Sequence, residues 1–136
     1  MFRKLLTIAL PVVLALSLPL AVDDAFAKGG SKLLPKASLW SQIPENASKD
    51  EIQAICDAMI ERQDSSPLGM MDASSLYMHG KILGVSCVKV DYYKALVLAK
   101  SSGDAFTLKA SLTYIGGKAR DGVAKAQAAL AKFEKN

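Results

Sequence analysis

The sequence predicts an all-α protein in which helix-turn-helix (α/α) units stack as a short solenoid, with about five helices after a signal peptide. Three observations favour this fold class. Apolar residues recur at helical spacing after residue 48, glycine follows several of these stretches, and a block of sequence recurs 37 residues further on. No stretch alternates polar and apolar residues over the length of an ordinary strand.

The composition is that of a globular protein with room for one domain. The 136 residues include 17 Lys and Arg, 13 Asp and Glu, and 51% hydrophobic residues, and the net charge is +4. The lysines are spread along the chain, so we expect no nucleic-acid partner. Two cysteines and one histidine are too few for a structural zinc site, and neither a phosphate-binding glycine loop nor a nucleophile elbow occurs. We therefore expect no cofactor.

Residues 1–27 have the pattern of a secretory signal peptide. A short basic start precedes an apolar run, and Ala25 and Ala27 form the A-x-A pattern that a signal peptidase accepts. An uncleaved membrane anchor is the alternative, because the apolar run is just long enough to span a bilayer, but Pro11 and Pro19 interrupt it. We predict cleavage after Ala27 and a periplasmic or secreted location.

Export would place the two cysteines in an oxidising compartment, where they can form a disulfide bond. In an oxidising compartment, the even count favours one disulfide bond between Cys56 and Cys87, which would stabilise the domain by roughly 3–4 kcal/mol. Two separate buried thiols are the alternative. A catalytic cysteine is disfavoured because there is no C-x-x-C pair and His79 is the only partner base.

Turn residues and helix caps divide the rest of the chain. Residues 28–47 form an irregular lead-in broken by Gly and Pro, in which Trp40 is expected to pack on the first helix. Ser48 and Glu51 form a capping box that starts the first helix of segment 48–69, and this helix is expected to stop before Ser65, Ser66 and Pro67. Four further helices are predicted at 70–79, 91–101, 104–115 and 122–133.

Glycines are expected to end the first three of these four helices, at Gly80, at Gly103 and at Gly116–Gly117. The segment 82–90 is rich in β-branched residues. We predict a loop there, because one isolated strand has nothing to pair with.

An internal repeat is the most informative feature of the sequence. Five residues recur after 37 positions: Ala73 and Ala110, Ser74 and Ser111, Tyr77 and Tyr114, Gly80 and Gly117, Lys81 and Lys118. The second helices correspond through Asp91 and Asp121, Lys94 and Lys125, Ala95 and Ala126. Such a period is typical of stacked helical pairs. The alanines are expected to let helices approach closely, the tyrosines to fill the gaps, and the glycines to permit tight reversals.

The first copy resembles the Sel1-like repeat, a relative of the tetratricopeptide repeat. Residues 76–80 (LYMHG, with Leu76 and Tyr77), Gly84 with Val85, and 91–95 (DYYKA) match the family pattern L-Y-x-x-G-x-G-V-x-x-D-x-x-K-A, although the first loop carries extra residues. The second copy matches less well. The resemblance covers residues 70–133, so segment 70–136 is predicted as two Sel1-like repeats.

The resemblance implies a binding scaffold, since exported bacterial Sel1-like proteins often act as adaptors or regulators of envelope proteins. Several members are braced by disulfides, which agrees with the cysteine pair. The leading hypothesis is therefore an exported, non-catalytic protein–protein interaction module with an envelope protein as its partner, and with self-association as a further option. Trp40, Tyr92, Tyr93 and Tyr114 are candidate contact residues.

A small periplasmic enzyme is one alternative. Its candidate groups are His79 with Cys87 or Ser86, and the carboxylates of Asp57, Glu61, Asp64 and Asp72. Packing at a helix end explains His79 more simply, and a solvated helix face explains Asp57 and Glu61.

A cell-envelope-associated protein is a further alternative. It would use a basic stripe of Lys28, Lys32 and Lys36 beside the apolar lead-in, but the Gly and Pro residues between them disfavour the helix that would align these lysines.

Overall fold

The computed structural model describes residues 33–136. The predicted signal peptide, its cleavage site and Lys28 and Lys32 lie outside these residues. The described residues are mostly helical, which confirms the all-α fold class. Their elements are α1 (Lys49–Glu61), α2 (Pro67–His79), β1 (Lys81–Ile82), β2 (Val85–Ser86), α3 (Tyr92–Ser102), α4 (Ala105–Arg120) and α5 (Ala124–Lys135). None of these helices has the length and apolar character needed to cross a bilayer.

The capping box predicted for α1 is present. The Ser48 hydroxyl accepts a hydrogen bond from Glu51 N at 3.1 Å, and the Glu51 carboxylate accepts one from Ser48 N at 2.9 Å. These bonds satisfy backbone donors that the first turn leaves unpaired. One face of α1 is buried through Ile52, Ile55, Cys56, Ala58 and Met59.

Pro67 is the first residue of α2, so this helix begins three residues earlier than predicted. Proline suits this position, because its fixed φ angle is helical and its missing N–H has no helical partner there. The Ser66 hydroxyl caps the helix by accepting from Gly69 N at 3.0 Å. Gly80 ends α2 with φ +75°, as predicted.

The predicted loop at 82–90 is wrong in part, because its first residues pair with each other. β1 and β2 form an antiparallel hairpin in which Lys81 faces Ser86 and Ile82 faces Val85. The turn uses two left-handed residues, Leu83 (φ +47°) and Gly84 (φ +84°), as a tight two-residue hairpin requires. The segment therefore supplies all of β2 and the second residue of β1, which begins at Lys81.

A disulfide bond joins Cys56 in α1 to Cys87, which directly follows β2. The two Cα atoms are 5.4 Å apart. The predicted bridge is confirmed, and it ties α1 to the hairpin that connects α2 with α3.

Helix α3 lies at the centre of the fold and packs against α2, α4 and α5. Its residues Ala95, Leu96 and Ala99 are fully buried. The helix begins after Asp91, whose carboxylate accepts from Lys94 N at 3.0 Å, and it ends at Gly103 with φ +77°. Both ends agree with the predicted limits to within one residue.

The predicted end of α4 at Gly116–Gly117 is wrong, because the helix continues through both glycines to Arg120. An interior glycine costs a helix only about 1 kcal/mol, and Ile115, which is fully buried, anchors this part of α4 in the core. The turn is made later, at Gly122 (φ +90°), and α5 begins at Ala124. Gly117 therefore does not have the role of Gly80.

The lead-in attaches to α2 through Asp72, which is only 5% exposed. The Asp72 carboxylate accepts from Ser38 Oγ at 2.7 Å and from Leu39 N at 2.9 Å, and the Leu39 side chain is buried. Trp40 begins a short 3-10 helix (Trp40–Gln42), and its Nε1 donates to Asp72 O at 3.2 Å. The hydrogen bond of Trp40 is thus to α2, whereas the sequence predicted packing on the first helix.

Candidate interaction surface

An open groove of about 230 Å³ runs between α2 and α4. The hydroxyls of Ser74 in α2 and Ser111 in α4 lie 3.4 Å apart, and both residues contribute to its lining. The other lining residues are Met71, Asp72, Ser75 and Met78 on α2 and Phe106, Thr107 and Ala110 on α4, and most of the exposed surface of the groove is apolar. We call this feature the α2–α4 groove.

Phe106 is the most exposed large hydrophobic side chain of the described residues, with 78% of its surface open to solvent. It precedes the buried Ile115 by nine residues. At 100° per residue, this places Phe106 on the side of α4 opposite to the core. Ala110 is also exposed, so the prediction that it lies at a close helix contact is wrong. An aromatic side chain beside an open apolar groove is typical of a binding surface.

A second open hollow, of about 370 Å³, lies on α4 itself. It is lined by Ala105, Leu108, Lys109, Leu112 and Thr113, which we call the outer face of α4. Leu108 and Leu112 stand 37 residues after Met71 and Ser75, which line the α2 side of the groove. The outer face of α4 therefore repeats the positions through which α2 meets α4.

Charge is distributed unevenly along the described residues. Residues 33–80 contain three Lys and Arg against seven Asp and Glu, a net charge of −4. Residues 81–136 contain ten Lys and Arg against four Asp and Glu, a net charge of +6. The part that includes α1 is therefore acidic, and the part that includes α4 and α5 is basic.

The first turn of α4, which carries Phe106, is fixed by Asp104. Its Oδ2 atom accepts from Thr107 Oγ1 at 2.6 Å and from Thr107 N at 2.9 Å. These two hydrogen bonds, the side-chain one first, lower the pKa of Asp104 below its ordinary value. Because Thr107 also lines the α2–α4 groove, this cap positions one edge of the groove.

The aromatic residues that the sequence indicated as contacts lie away from the groove lining. Tyr92 and Tyr114 pack against the buried core that includes Ala95, Leu96 and Ile115. The ring of Tyr93 is covered by Lys132, whose Nζ lies 4.3 Å from the ring centroid, and its hydroxyl accepts from Asn136 Nδ2 at 3.4 Å. Phe106 is not among the contact residues predicted from the sequence. The available signal was its position outside the apolar stripe of this helix, which consists of Ala105, Leu108, Leu112 and Ile115.

The candidate catalytic residues form no nucleophile–base pair. The Cys87 sulfur is bonded to Cys56, so it offers no thiol to His79. His79 is exposed, and its ring meets that of Tyr114 edge-on at 4.9 Å. Asp72 is held by the lead-in, and Asp57 accepts from Gln53 Nε2 at 3.0 Å. Within residues 33–136, no three His, Cys, Asp or Glu side chains are grouped as metal ligands.

Comparison of the chain with protein-family models, with curated proteins and with solved structures finds no match.

Proposed function

We propose that the chain is an exported, non-catalytic protein–protein interaction module that binds a protein of the cell envelope at the α2–α4 groove. The observation that carries this proposal is the exposure of Phe106, 78% open to solvent at the edge of the apolar groove. Aromatic residues, Phe included, are enriched in protein interfaces, where a few buried anchors supply most of the binding energy.

The proposal includes a repeat architecture in which α2 with α3 and α4 with α5 are two Sel1-like helical pairs, preceded by α1. Its support is the contact between Ser74 and Ser111, which are equivalent residues of the two copies. The packing of α3 against both α2 and α4 also fits stacked pairs.

The proposed location outside the cytoplasm has two supports. The first is the signal-peptide pattern of residues 1–27. The second is the disulfide bond, because such bonds persist mainly in oxidising compartments.

The groove suits one apolar side chain of a partner segment. At about 230 Å³ it is too small for a whole helix, and the Met71 and Met78 side chains can adapt to the shape of an inserted group. The Ser75 hydroxyl can donate to or accept from the backbone of that segment, whereas the Thr107 hydroxyl, which donates its proton to Asp104, can only accept. We infer that the partner presents an aliphatic or aromatic anchor on an exposed segment.

Site-specific photo-crosslinking in cells tests this function. A photoreactive phenylalanine analogue at position 106 is expected to give an adduct with one envelope protein, and the same analogue at Val97, exposed on α3, is expected to give none. Phe106→Ser should weaken co-purification of that protein by about tenfold or more while thermal unfolding is unchanged. Equal adducts at both positions, or none at position 106, would contradict the proposal.

A further inference from the structure

We propose that the outer face of α4 binds the acidic side of α1 from a second copy of this chain, so that copies associate head to tail. This proposal rests on the stacked pairs of the proposed function, but it uses a surface separate from the α2–α4 groove. A failure of one binding surface is therefore distinguishable from a failure of the other.

The first argument is that the outer face of α4 is an open helix-packing surface. On α2, Met71 and Ser75 face α4 across the groove. Their equivalents on α4, Leu108 and Leu112, are half-buried and line an open hollow. The small neighbours Ala105 and Thr113 leave room for another helix to approach closely.

The second argument is the charge on α4 beside these leucines. Lys109 and Arg120 are both exposed and are eleven residues apart, which is three helical turns, so they lie on one side of α4 about 16 Å apart along the axis. The Arg120 side chain folds back over the helix, since a Cβ atom added at Gly116 would lie 3.6 Å from Arg120 Nη1. Two cationic groups thus flank the apolar strip.

The third argument is that α1 carries a matching pair of negative charges. Asp50 and Glu61 are exposed and are also eleven residues apart, so they too lie on one side of a helix about 16 Å apart. Asp57 is exposed on the same side between them, and Ala54 there is small enough for close contact. The acidic residues of α1 therefore match Lys109 and Arg120 in sign and in the spacing of their positions along the helix.

The same charges select the geometry of association. Two outer faces meeting each other would bring the Lys109 and Arg120 groups of both copies together, and two α1 helices would bring their carboxylates together. Each copy has one basic outer face and one acidic α1, so the favoured contact joins unlike surfaces. A single contact of this kind leaves an outer face free on one copy and an α1 free on the other, and further copies add there to form open chains.

Sedimentation velocity of the oxidised mature chain tests the proposal. At low salt, the weight-average mass should rise steadily with protein concentration, and about 0.5 M salt should return it to the monomer. Lys109→Glu with Arg120→Glu, or Asp57→Lys with Glu61→Lys, should each lower the association constant by at least about tenfold. Lys81→Glu, a charge reversal in β1, is the matched control and should change nothing.

Mixing the two charge-reversed proteins gives the decisive result. Each is monomeric alone because each lacks one of the two surfaces. In the mixture, the unaltered outer face of the α1 variant meets the unaltered α1 of the outer-face variant, and the two reversed surfaces are again opposite in charge, so association should return. Met71→Ala, on the α2 wall of the groove, should leave self-association intact.

Three results would overturn the proposal. They are a wild-type monomer at every concentration in low salt, a mixture that stays monomeric, and a mass that saturates at that of a dimer.

Discussion

The hydroxyl oxygens of Ser74 and Ser111 lie 3.4 Å apart in the protein interior, and the two residues are 37 positions apart in the sequence. The Ser74 hydroxyl donates its one proton to Ala95 O at 2.7 Å, so Ser111 is the donor between the two serines. The two copies of the repeated sequence block therefore meet through the same residue of each.

Removing the Ser74 hydroxyl should destabilise the protein more than removing the Ser111 hydroxyl. Ser74→Ala deprives the buried Ser111 hydroxyl of its acceptor and should lower the free energy of unfolding by about 1–2 kcal/mol, whereas Ser111→Ala should lower it by about 0.5–1 kcal/mol. Urea unfolding measures both values, and a double mutant measures their coupling. Ser101→Ala, at an exposed position of α3, is the control. Additive effects of the two serine variants would contradict the direct contact.

The disulfide bond should supply a large part of the stability. It closes a loop with a sequence separation of 31 residues, so replacing both Cys56 and Cys87 by Ala should lower the free energy of unfolding by about 4 kcal/mol. Reduction of the wild-type protein should give a similar loss, and the reductant should not affect the variant. A wild-type unfolding midpoint that is the same with and without reductant would argue against this role.

Two glycines that are equivalent in the repeat should respond oppositely to alanine. Gly80 has φ +75°, and an added Cβ would lie 2.9 Å from Val90 Cγ2, so Gly80→Ala should destabilise by about 2 kcal/mol. Gly117 is inside α4, where the nearest atom to an added Cβ is Arg120 Nη2 at 3.8 Å, so Gly117→Ala should stabilise by up to about 1 kcal/mol. Thermal unfolding measures both stability changes. Changes of the same sign would contradict the difference in backbone conformation between the two positions.

The lowered pKa of Asp104 links stability to acid pH. Its value in the folded protein lies below that in the unfolded chain. The stabilisation is therefore complete above the ordinary aspartate pKa of about 4 and is lost as the pH falls through the folded value. Thr107→Val removes the hydroxyl donor and should raise the pKa of Asp104 toward the ordinary range, measured by NMR titration of its carboxyl carbon. An unchanged titration would show that Thr107 Oγ1 does not stabilise the carboxylate.

Asp72 should hold the lead-in on α2. Asp72→Ala leaves the buried Leu39 N–H without its acceptor and should destabilise by about 2 kcal/mol. Limited proteolysis should then cut between residues 34 and 42 much faster than in the wild type. Asp57→Ala, which removes an exposed carboxylate from α1, should leave the cutting rate unchanged.

The sequence correctly predicted those helix ends that are determined by a single residue at the end itself. Ser48, Gly80 and Gly103 mark helix ends, and they do so through a side-chain cap or a left-handed backbone that the residue itself supplies. The same signal failed at Gly116 and Gly117. A glycine permits a helix to end without requiring it, and at this site the buried Ile115 and the later turn at Gly122 favour continuation.

The remaining differences depend on contacts that single residues do not reveal. Leu83 takes a left-handed conformation that a leucine rarely adopts, so nothing at that position indicated the hairpin. Phe106 is exposed because α4 has only one buried side, and which side is buried depends on the packing of α2, α3 and α5 around it. The sequence thus identified the helices but not the surface that they leave open.

The central position of α3 has a consequence for the order of folding. The hairpin between α2 and α3 brings neighbouring parts of the chain together, and such short-range contacts form fastest. The amide hydrogens of α3 should therefore be the slowest to exchange with deuterated solvent. Helix α1 packs on α2 and on β2, so Cys56 lies beside Cys87 only when both α2 and the hairpin are in place. We therefore expect the native cysteine pair to be oxidised after the hairpin has docked on α2.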